Sequence, residues 1–148
     1  TARDMLKAVE AALPSDVAIF AAAVADWRVD HASEEKIKKS YDRLPTLSFH
    51  ENPDFLASVS QLKTHRPKLV VGFAAETESV VDHATAKRNR KGCDWILAND
   101  VSPETGIMGG SDNAVTLITK DGAETWPRMA KTQVALDLAR RIAEELSK

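Results

Sequence analysis

Three short apolar runs constrain the fold of this chain more than any other feature of its sequence. They occupy residues 17–23 (VAIFAAA), 68–73 (KLVVGF) and 94–98 (DWILA). Continuous apolar runs of this length are typical of strands covered on both faces, as in parallel sheets flanked by helices. The sequence therefore predicts three buried parallel strands.

Segments with helical spacing alternate with these runs. We expect helices over 1–13, from an Asn-Pro-Asp start at 52–54 to about residue 65, over 76–90 and over 131–146. An Asp-Gly pair at 121–122 separates two short β-type runs and favours a tight antiparallel hairpin. The predicted fold class is therefore α/β, with a doubly wound, mostly parallel, Rossmann-like sheet, a C-terminal antiparallel hairpin and a closing helix.

Two segments between the first and second runs are more polar. Residues 26–43 carry too few apolar side chains for the core, so we expect a surface excursion there. Residues 46–49 (TLSF) alternate polar and apolar side chains, which predicts a half-exposed strand.

Size and composition limit the classes of protein. The chain has 148 residues and 43% hydrophobic content, which predicts one domain, 1–148, with one core. Twenty basic and 22 acidic residues give a formal net charge of −2, so non-specific binding to nucleic acid is not expected. The longest apolar stretch, 17–25, is well short of the roughly 20 residues that a membrane helix needs. A single cysteine, Cys93, excludes an intramolecular disulfide and is expected to be a packing residue, which fits a cytoplasmic location.

Ligands of doubly wound sheets bind outside the carboxyl ends of the strands, so the residues after each run are candidates for a site. At the end of the first run, the small residues Ala22 and Ala23 would let the backbone approach a ligand. Asp26 could accept hydrogen bonds from ribose hydroxyls or help to hold a metal. Tight helix–sheet packing with a surface aspartate would explain the same pattern.

The second run continues into GFAAET at 72–77, which has neither GxGxxG nor Walker A spacing. A dinucleotide fingerprint and a P-loop NTPase are therefore disfavoured. Phe73 could pack on a base or be an ordinary core aromatic.

Lys87 and Lys91 stand four residues apart on a predicted helix, so they share one face. They could converge on a triphosphate, or they could simply form a solvated basic helix end. Arg88 and Arg90 are expected to point elsewhere.

The segment Asn52, Pro53, Asp54 and Phe55 begins a helix, where exposed N–H groups can bind an anion or the edge of a base. Simple capping would explain these residue types equally well.

The lysine-rich segment with Lys36, Lys38 and Lys39 lies in the polar excursion. It could form a flap that supplies positive charge to a phosphoryl transition state. A solvated charge run is the alternative.

Six motifs, read in order, resemble those of the bacterial phosphopantothenoylcysteine synthetase domain, which is a phosphopantothenate–cysteine ligase. They are AAAVADWR at 21–28, EKIKK at 35–39, NPDF at 52–55, GFAAET at 72–77, AKRNRKGCDWILAND at 86–100 and SDNAVTLI at 111–118. In this family the domain usually forms the C-terminal half of a bifunctional protein whose N-terminal half is a flavin-dependent decarboxylase.

The resemblance implies CTP- and Mg²⁺-dependent ligation of L-cysteine to 4′-phosphopantothenate through an acyl-cytidylate intermediate, in coenzyme A biosynthesis. It implies a catalytic role for Lys36, a flap completed by Lys38 and Lys39, and a homodimer. FMN is implied only where a decarboxylase domain is fused upstream, and the metal ligands stay unassigned. The CTP contacts that it implies are Ala22, Ala23, Asp26, Lys36, Asn52, Pro53, Asp54, Phe55, Phe73, Lys87 and Lys91.

The family also begins with a strand–loop–helix region, with GGTxExID-like and SSGxMG-like stretches, that nothing in these residues matches. We therefore expect this chain to hold the CTP part of the site and not the part that binds the acyl substrate. The alternative is a non-enzymatic nucleotide-binding, regulatory or interaction subunit derived from the same fold.

Overall fold

The computed structural model describes residues 1–30, 47–105, 107 and 110–148. Within this part of the chain no helix is both long and apolar enough to cross a bilayer. The elements, in chain order, are α1 (Ala2–Ala11), β1 (Val17–Phe20), β2 (Trp27–Val29), β3 (Phe49–Glu51), α2 (Phe55–Ser60), β4 (Leu69–Glu76), α3 (Val80–Lys91), β5 (Trp95–Asp100), a 3₁₀ turn (Pro103–Thr105), β6 (Asp112–Asn113), β7 (Val115–Thr119), β8 (Gly122–Thr125), β9 (Met129–Ala130) and α4 (Lys131–Leu146).

The predicted fold class is confirmed. Five strands form one sheet in the order β1-β4-β5-β7-β8, in which β1, β4 and β5 are parallel. Strand β7 runs antiparallel to β5 and forms the expected hairpin with β8. The amphipathic helix α4 closes the chain over the range that its apolar spacing predicts.

Helices cover both faces of the sheet. Successive residues of β4 and β5 point to opposite faces, so each strand contributes side chains to both helix layers. On one face Val71 and Leu97 pack with the apolar stripe of α4, Val134, Leu138 and Ile142. The other face packs against α2 and α3 through a second group of apolar side chains: Leu56, Val59, Val70, Ala74, Ala84, Cys93, Ile96, Ala98 and Ile118. The continuous apolar runs at 68–73 and 94–98 are therefore explained by burial on both faces.

Cys93 belongs to the second of these groups, as predicted for a packing residue, and is 3% exposed. Burial raises the pKa of its thiol to about 11, so the reactive thiolate is scarce at neutral pH.

Strand β1 departs from the prediction that all three runs are buried on both faces. It forms the edge of the sheet, pairs within the described residues only with β4, and leaves Ile19 48% exposed. A largely apolar groove of about 590 Å³ lies between β1 and α4, lined in part by Val17, Ile19 and Leu138. An apolar run indicates that a strand suits the interior of a sheet, but it does not indicate which strand lies at the edge.

A short two-stranded ribbon is the second departure. Strand β2 lies in the segment predicted as an irregular excursion, and it pairs antiparallel with β3, Trp27 opposite Glu51 and Val29 opposite Phe49. The predicted strand at 46–49 is displaced to Phe49–Glu51. Residues 31–46, which include Lys36, Lys38 and Lys39, lie outside the described residues.

Two helix boundaries also differ from the sequence prediction. Helix α2 ends at Ser60, with Gln61 as its C-cap, rather than near residue 65. Farther along, His65 has a left-handed φ of 61° and the residue before Pro67 is sterically disfavoured in a helix, so the chain does not return to helix there. Strand β4 extends to Glu76, so α3 begins at Val80 and not at Glu76.

Gly72 of β4 lets α2 approach the sheet closely. A Cβ atom at this position would lie 2.5 Å from Leu56 Cδ2 and 2.8 Å from Ile96 Cδ1, both in the core. We predict that Gly72→Ala lowers the free energy of unfolding by about 1–3 kcal/mol, the usual cost of an overpacked core. Urea unfolding followed by fluorescence of the buried Trp95 and Trp126 measures this change.

A second variant identifies the cause of that loss. Leu56→Val removes two of the three close contacts of the new methyl group, those with the Cδ atoms of Leu56, so Gly72→Ala should cost less in this background. An equal cost in both backgrounds would place the strain at Ile96, whose Cδ1 contact remains.

Candidate functional site

A cleft of about 630 Å³ opens at the carboxyl ends of β1 and β4. We name it the carboxyl-edge cleft, and its lining residues are Met5, Phe20, Ala22, Val24, Ala25, Asp26, Glu51, Asn52, Pro53, Asp54, Phe55, Leu56, Phe73, Lys87, Arg90 and Lys91. Its position is the one at which doubly wound sheets bind ligands. A second hollow of about 500 Å³, which includes Lys68 and Asp94, lies at the amino ends of β4 and β5 and lacks that topological argument.

One wall of the cleft is the loop that leaves β1. Ala22, Val24, Ala25 and Asp26 line it, and the short side chains leave backbone groups close to the open space. The expected contribution of Ala22 and Asp26 therefore agrees with their placement, whereas Ala23 is not among the lining residues.

An adjoining wall is the Asn52–Phe55 segment that leads into α2. Asp54 is the N-cap of this helix, and its Oδ1 accepts a hydrogen bond of 3.0 Å from the backbone N–H of Ala57. Capping, which the sequence left open as an alternative, is thus one role of this carboxylate. The first turn of α2 places Phe55 and Leu56 under the cleft.

Phe73 also lines the cleft, at the point where β4 passes the end of β1. Its ring is half-buried and packs against the apolar group on the α4 face. Phe73 also lines the carboxyl-edge cleft, so both alternatives considered for it, core aromatic and ligand contact, are compatible with its position.

Lys87 and Lys91 project from one face of α3 into the cleft, as their spacing predicts. Lys87 Nζ donates a hydrogen bond of 3.2 Å to the backbone carbonyl of Phe73. Lys91 Nζ pairs with Asp54 Oδ2, which joins the end of α3 to the start of α2. The lysine side chain is 20% exposed and the carboxylate 40% exposed, so this pair is only partly screened by solvent.

The charge of Asp54 is maintained by its neighbours. Burial pushes the pKa of Asp54 upward, but the hydrogen bond from Ala57 and the pairing with Lys91 outweigh it, so the pKa lies below its usual value. Asp54 is therefore ionised at neutral pH and competes with any anionic ligand for Lys91.

Arg90 corrects one expectation. It was predicted to point away from the site together with Arg88, yet it lines the carboxyl-edge cleft near the end of α3. Arg88 does point elsewhere, and its Nε donates to the backbone carbonyl of Asp94. Arg90 is three residues after Lys87, and residues three or four apart on a helix are neighbours. It also adjoins Lys91 at the last turn, where a long side chain can reach the same space.

The cleft gathers most of the residues that the sequence singled out. Nine of the eleven candidate CTP contacts line it, Ala22, Asp26, Asn52, Pro53, Asp54, Phe55, Phe73, Lys87 and Lys91. The two others are Ala23 and Lys36, and Lys36 lies outside the described residues. Met5, Phe20 and Glu51 also line the cleft. Apolar patterns typical of a core already explain Met5 and Phe20, and Glu51 follows the predicted strand at 46–49, so the sequence carries no signal for them as site residues.

The order of the strands and the position of the cleft define the chain as an α/β domain of the Rossmann-like class. Residues 1–146 match the model of the DNA/pantothenate metabolism flavoprotein C-terminal domain. The chain belongs to this family, which confirms the family that its six motifs indicate.

Several proteins of this family are similar to the chain along most of its length. It is 42% identical over 149 residues to the coenzyme A biosynthesis bifunctional protein CoaBC of Haemophilus influenzae, a match that covers 100% of this chain and 36% of the relative. The corresponding protein of Escherichia coli strain K12 is 45% identical over 131 residues, with 86% of this chain and 32% of the relative covered. The chain thus spans about a third of the length of the curated relatives it matches.

A solved structure agrees with the fold. The crystal structure of the C-terminal domain of the coenzyme A biosynthesis bifunctional protein CoaBC superposes with a TM-score of 0.76 at 31% sequence identity. The superposition covers 99% of this chain and 63% of that structure.

Proposed function

We propose that this chain is the CTP-binding part of a phosphopantothenate–cysteine ligase of coenzyme A biosynthesis, and that residues 1–148 form one CTP-binding α/β domain. The observation that carries the proposal is the convergence of nine candidate contacts, from four separate parts of the sequence, on the carboxyl-edge cleft. The similarity to bifunctional coenzyme A biosynthesis proteins supports it.

In the proposed reaction, the carboxylate of 4′-phosphopantothenate attacks the α-phosphorus of CTP, and pyrophosphate leaves. The product is an acyl-cytidylate, and the amine of L-cysteine then attacks its acyl carbon and displaces CMP. The negative charge that must be stabilised develops on the phosphate oxygens, so cationic groups near those oxygens lower the barrier.

In the described part of the chain, helix α3 carries cationic side chains that can supply that stabilisation. Lys87 and Lys91 are the cations of α3 proposed to hold the triphosphate, with Arg90 beside them. Phe73 lines the same cleft and is proposed to pack on the pyrimidine, and the loop residues Ala22, Val24 and Ala25 are proposed to offer backbone groups to the ribose. Lys36 is proposed to act as the catalytic lysine, with Lys38 and Lys39 in the same flap.

The residues of the cleft also fit a Mg²⁺ ion that the protein and the substrate phosphates would hold together. No group of three or more His, Cys, Asp or Glu residues in the described part of the chain is arranged to hold a metal. Mg²⁺ usually keeps several waters and is bound through one or two carboxylates together with substrate phosphates. Asp26, which lines the cleft, is the carboxylate proposed for this role, and the ion would neutralise charge on the phosphates.

Isothermal titration of the 148-residue chain with CTP, ATP and GTP in the presence of Mg²⁺ tests the proposal. We expect CTP to bind most tightly and its affinity to fall when Mg²⁺ is withheld, because the cation offsets part of the triphosphate charge. The same titration on a Lys68→Met and Lys120→Met double variant is the control, since both lysines are exposed ion-pair partners remote from the cleft.

Two results would contradict the proposal. Binding of no nucleotide would remove the nucleotide site, and equal affinity for the three nucleotides would remove the preference for CTP. An oligomer without nucleotide binding, measured by light scattering, would instead favour the non-enzymatic subunit. The homodimer and the cytoplasmic location belong to the same proposal, and light scattering also tests the dimer.

A further inference from the structure

Arg28 is a charged side chain near the carboxyl-edge cleft that does not line it. It lies in the middle of β2, opposite His50 of β3. Its Nη1 atom donates to the backbone carbonyl of Glu51 and, at 3.5 Å, to the side-chain Oδ1 of Asn52. The guanidinium is therefore directed at the segment that forms one wall of the cleft, and not at the open space.

Asn52 connects that wall to the loop that leaves β1. Its side-chain Nδ2 donates to the backbone carbonyl of Ala25 at 2.8 Å, and its backbone N–H donates to the carbonyl of Asp26 at 2.7 Å. Both ends of the side-chain amide are thus engaged by protein atoms, one by Arg28 and the other by Ala25. Two of the four hydrogen bonds that an asparagine amide can make are thus used within the protein.

These contacts form a chain of hydrogen bonds from Arg28 through Asn52 to Ala25 and Asp26. The ribbon around it is small, because β2 and β3 have only three residues each. Short antiparallel ribbons are marginally stable by themselves, so side-chain bonds across this one contribute a large share of its order. The loop carbonyls that Asn52 holds belong to residues that line the cleft.

We propose that Arg28 is a positioning residue of the nucleotide site, which acts by holding Asn52 and, through it, the Ala25–Asp26 wall. The effect on CTP binding rests on the proposed function, whereas the chain of hydrogen bonds does not. It also assigns Asn52 a different role from direct contact with CTP, since its amide serves the protein. Arg28 contacts neither nucleotide nor reacting atoms in this scheme.

Arg28→Gln in the 148-residue chain is the first variant, because glutamine keeps a polar side chain but loses the charge and the reach. We expect the dissociation constant for CTP with Mg²⁺ to rise about tenfold, the order expected when a charge-assisted hydrogen bond is lost. Arg28→Lys keeps a cation that can serve one acceptor, so it should restore part of the affinity. Arg140→Gln, at an exposed arginine paired with Asp137 on α4, is the matched control and should leave the affinity unchanged.

A double-mutant cycle separates positioning from direct contact. If Arg28 acts through Asn52, the variant with both Arg28→Gln and Asn52→Ala should bind CTP about as weakly as Asn52→Ala alone. If Arg28 touches phosphate directly, its loss should weaken binding by the same factor in both backgrounds, and that result would overturn the proposal.

Hydrogen exchange of the ligand-free chain gives a readout that needs no nucleotide. Arg28→Gln should speed exchange at the backbone N–H of Asn52, which donates to the carbonyl of Asp26, while the backbone N–H groups of β4 and β5 keep their protection. Unchanged exchange at Asn52 would overturn the inference, and loss of protection throughout the sheet would show a general structural role instead. If wild type binds no CTP, the proposed function fails, and exchange alone decides whether Arg28 holds the wall.

Discussion

Replacing both cleft lysines, Lys87→Met with Lys91→Met, should weaken binding of CTP to this chain by at least about 10²-fold. Methionine keeps most of the length of lysine and removes the ammonium group. Each hydrogen bond to a charged group contributes roughly 1.5–3 kcal/mol, so the loss of two corresponds to about 10²–10⁴ in the dissociation constant. Removal of Lys91 also leaves the carboxylate of Asp54 without its partner and close to the phosphates, which adds repulsion.

Titration calorimetry in Mg²⁺ measures this effect, with Lys68→Met and Lys120→Met together as the control. Both control lysines form exposed ion pairs, with Asp16 and Asp121, and surface pairs contribute little to stability. Circular dichroism of each variant checks that the sheet is intact. An affinity loss below about fivefold in a folded cleft variant would mean that the triphosphate binds elsewhere.

Lys36→Ala should slow ligation by about 10²-fold, with a smaller change in the KM for CTP. A cation that meets the phosphates chiefly in the transition state contributes to kcat more than to ground-state binding, and the loss of one such group typically costs this much. The measurement requires a complete ligase, for example the Haemophilus influenzae relative with residues 1–148 of this chain in place of its matching segment. Formation of pyrophosphate from CTP, with 4′-phosphopantothenate and L-cysteine present, reports the rate.

Lys63→Ala is the matched control in the same hybrid, because Lys63 is exposed and does not line the carboxyl-edge cleft. An unchanged rate for Lys36→Ala would remove Lys36 from the catalytic residues without affecting the assignment of Lys87 and Lys91. A rise in KM at constant kcat would instead make Lys36 a simple binding residue.

The sequence predicts the interior of this fold well, because burial leaves a clear pattern there. The runs that contain Val70, Val71, Ile96 and Leu97 are strands at the centre of the sheet, and these four side chains are almost completely inaccessible to solvent. The spacing of α4 is equally informative, since its apolar stripe faces the sheet and its other side is polar. In both cases local pattern and tertiary packing favour the same structure.

The edges of the fold are harder to predict. Strand β1 has the apolar composition of an interior strand, and only its place in the sheet order reveals that Ile19 is exposed. The pairing of β2 with β3 brings together residues more than 20 positions apart, Trp27 with Glu51, which no local pattern reports. Short polar strands are determined by their partners rather than by their own propensity.

The candidate site was predictable where helical geometry or strand ends determine direction. Lys87 and Lys91 share a face because of their spacing, Asp26 follows the end of β1, and Phe73 lies in β4 just past that end. The roles of Asn52 and Asp54 were not separable from sequence, because an N-terminal Asn-Pro-Asp segment suits capping and ligand contact equally. Only the hydrogen bonds of Asn52 to Ala25 and of Asp54 to Ala57 distinguish them.

The edge position of β1 also affects the solubility of the isolated chain. The outer backbone groups of Val17–Phe20 have no strand partner in the described residues, and Ile19 lies beside them over an apolar groove. An uncovered, apolar strand edge is a template on which strands of other molecules can add. Solubility at high protein concentration should therefore be limited by this edge, and a charged residue in place of Ile19 would act as a gatekeeper against such strand addition.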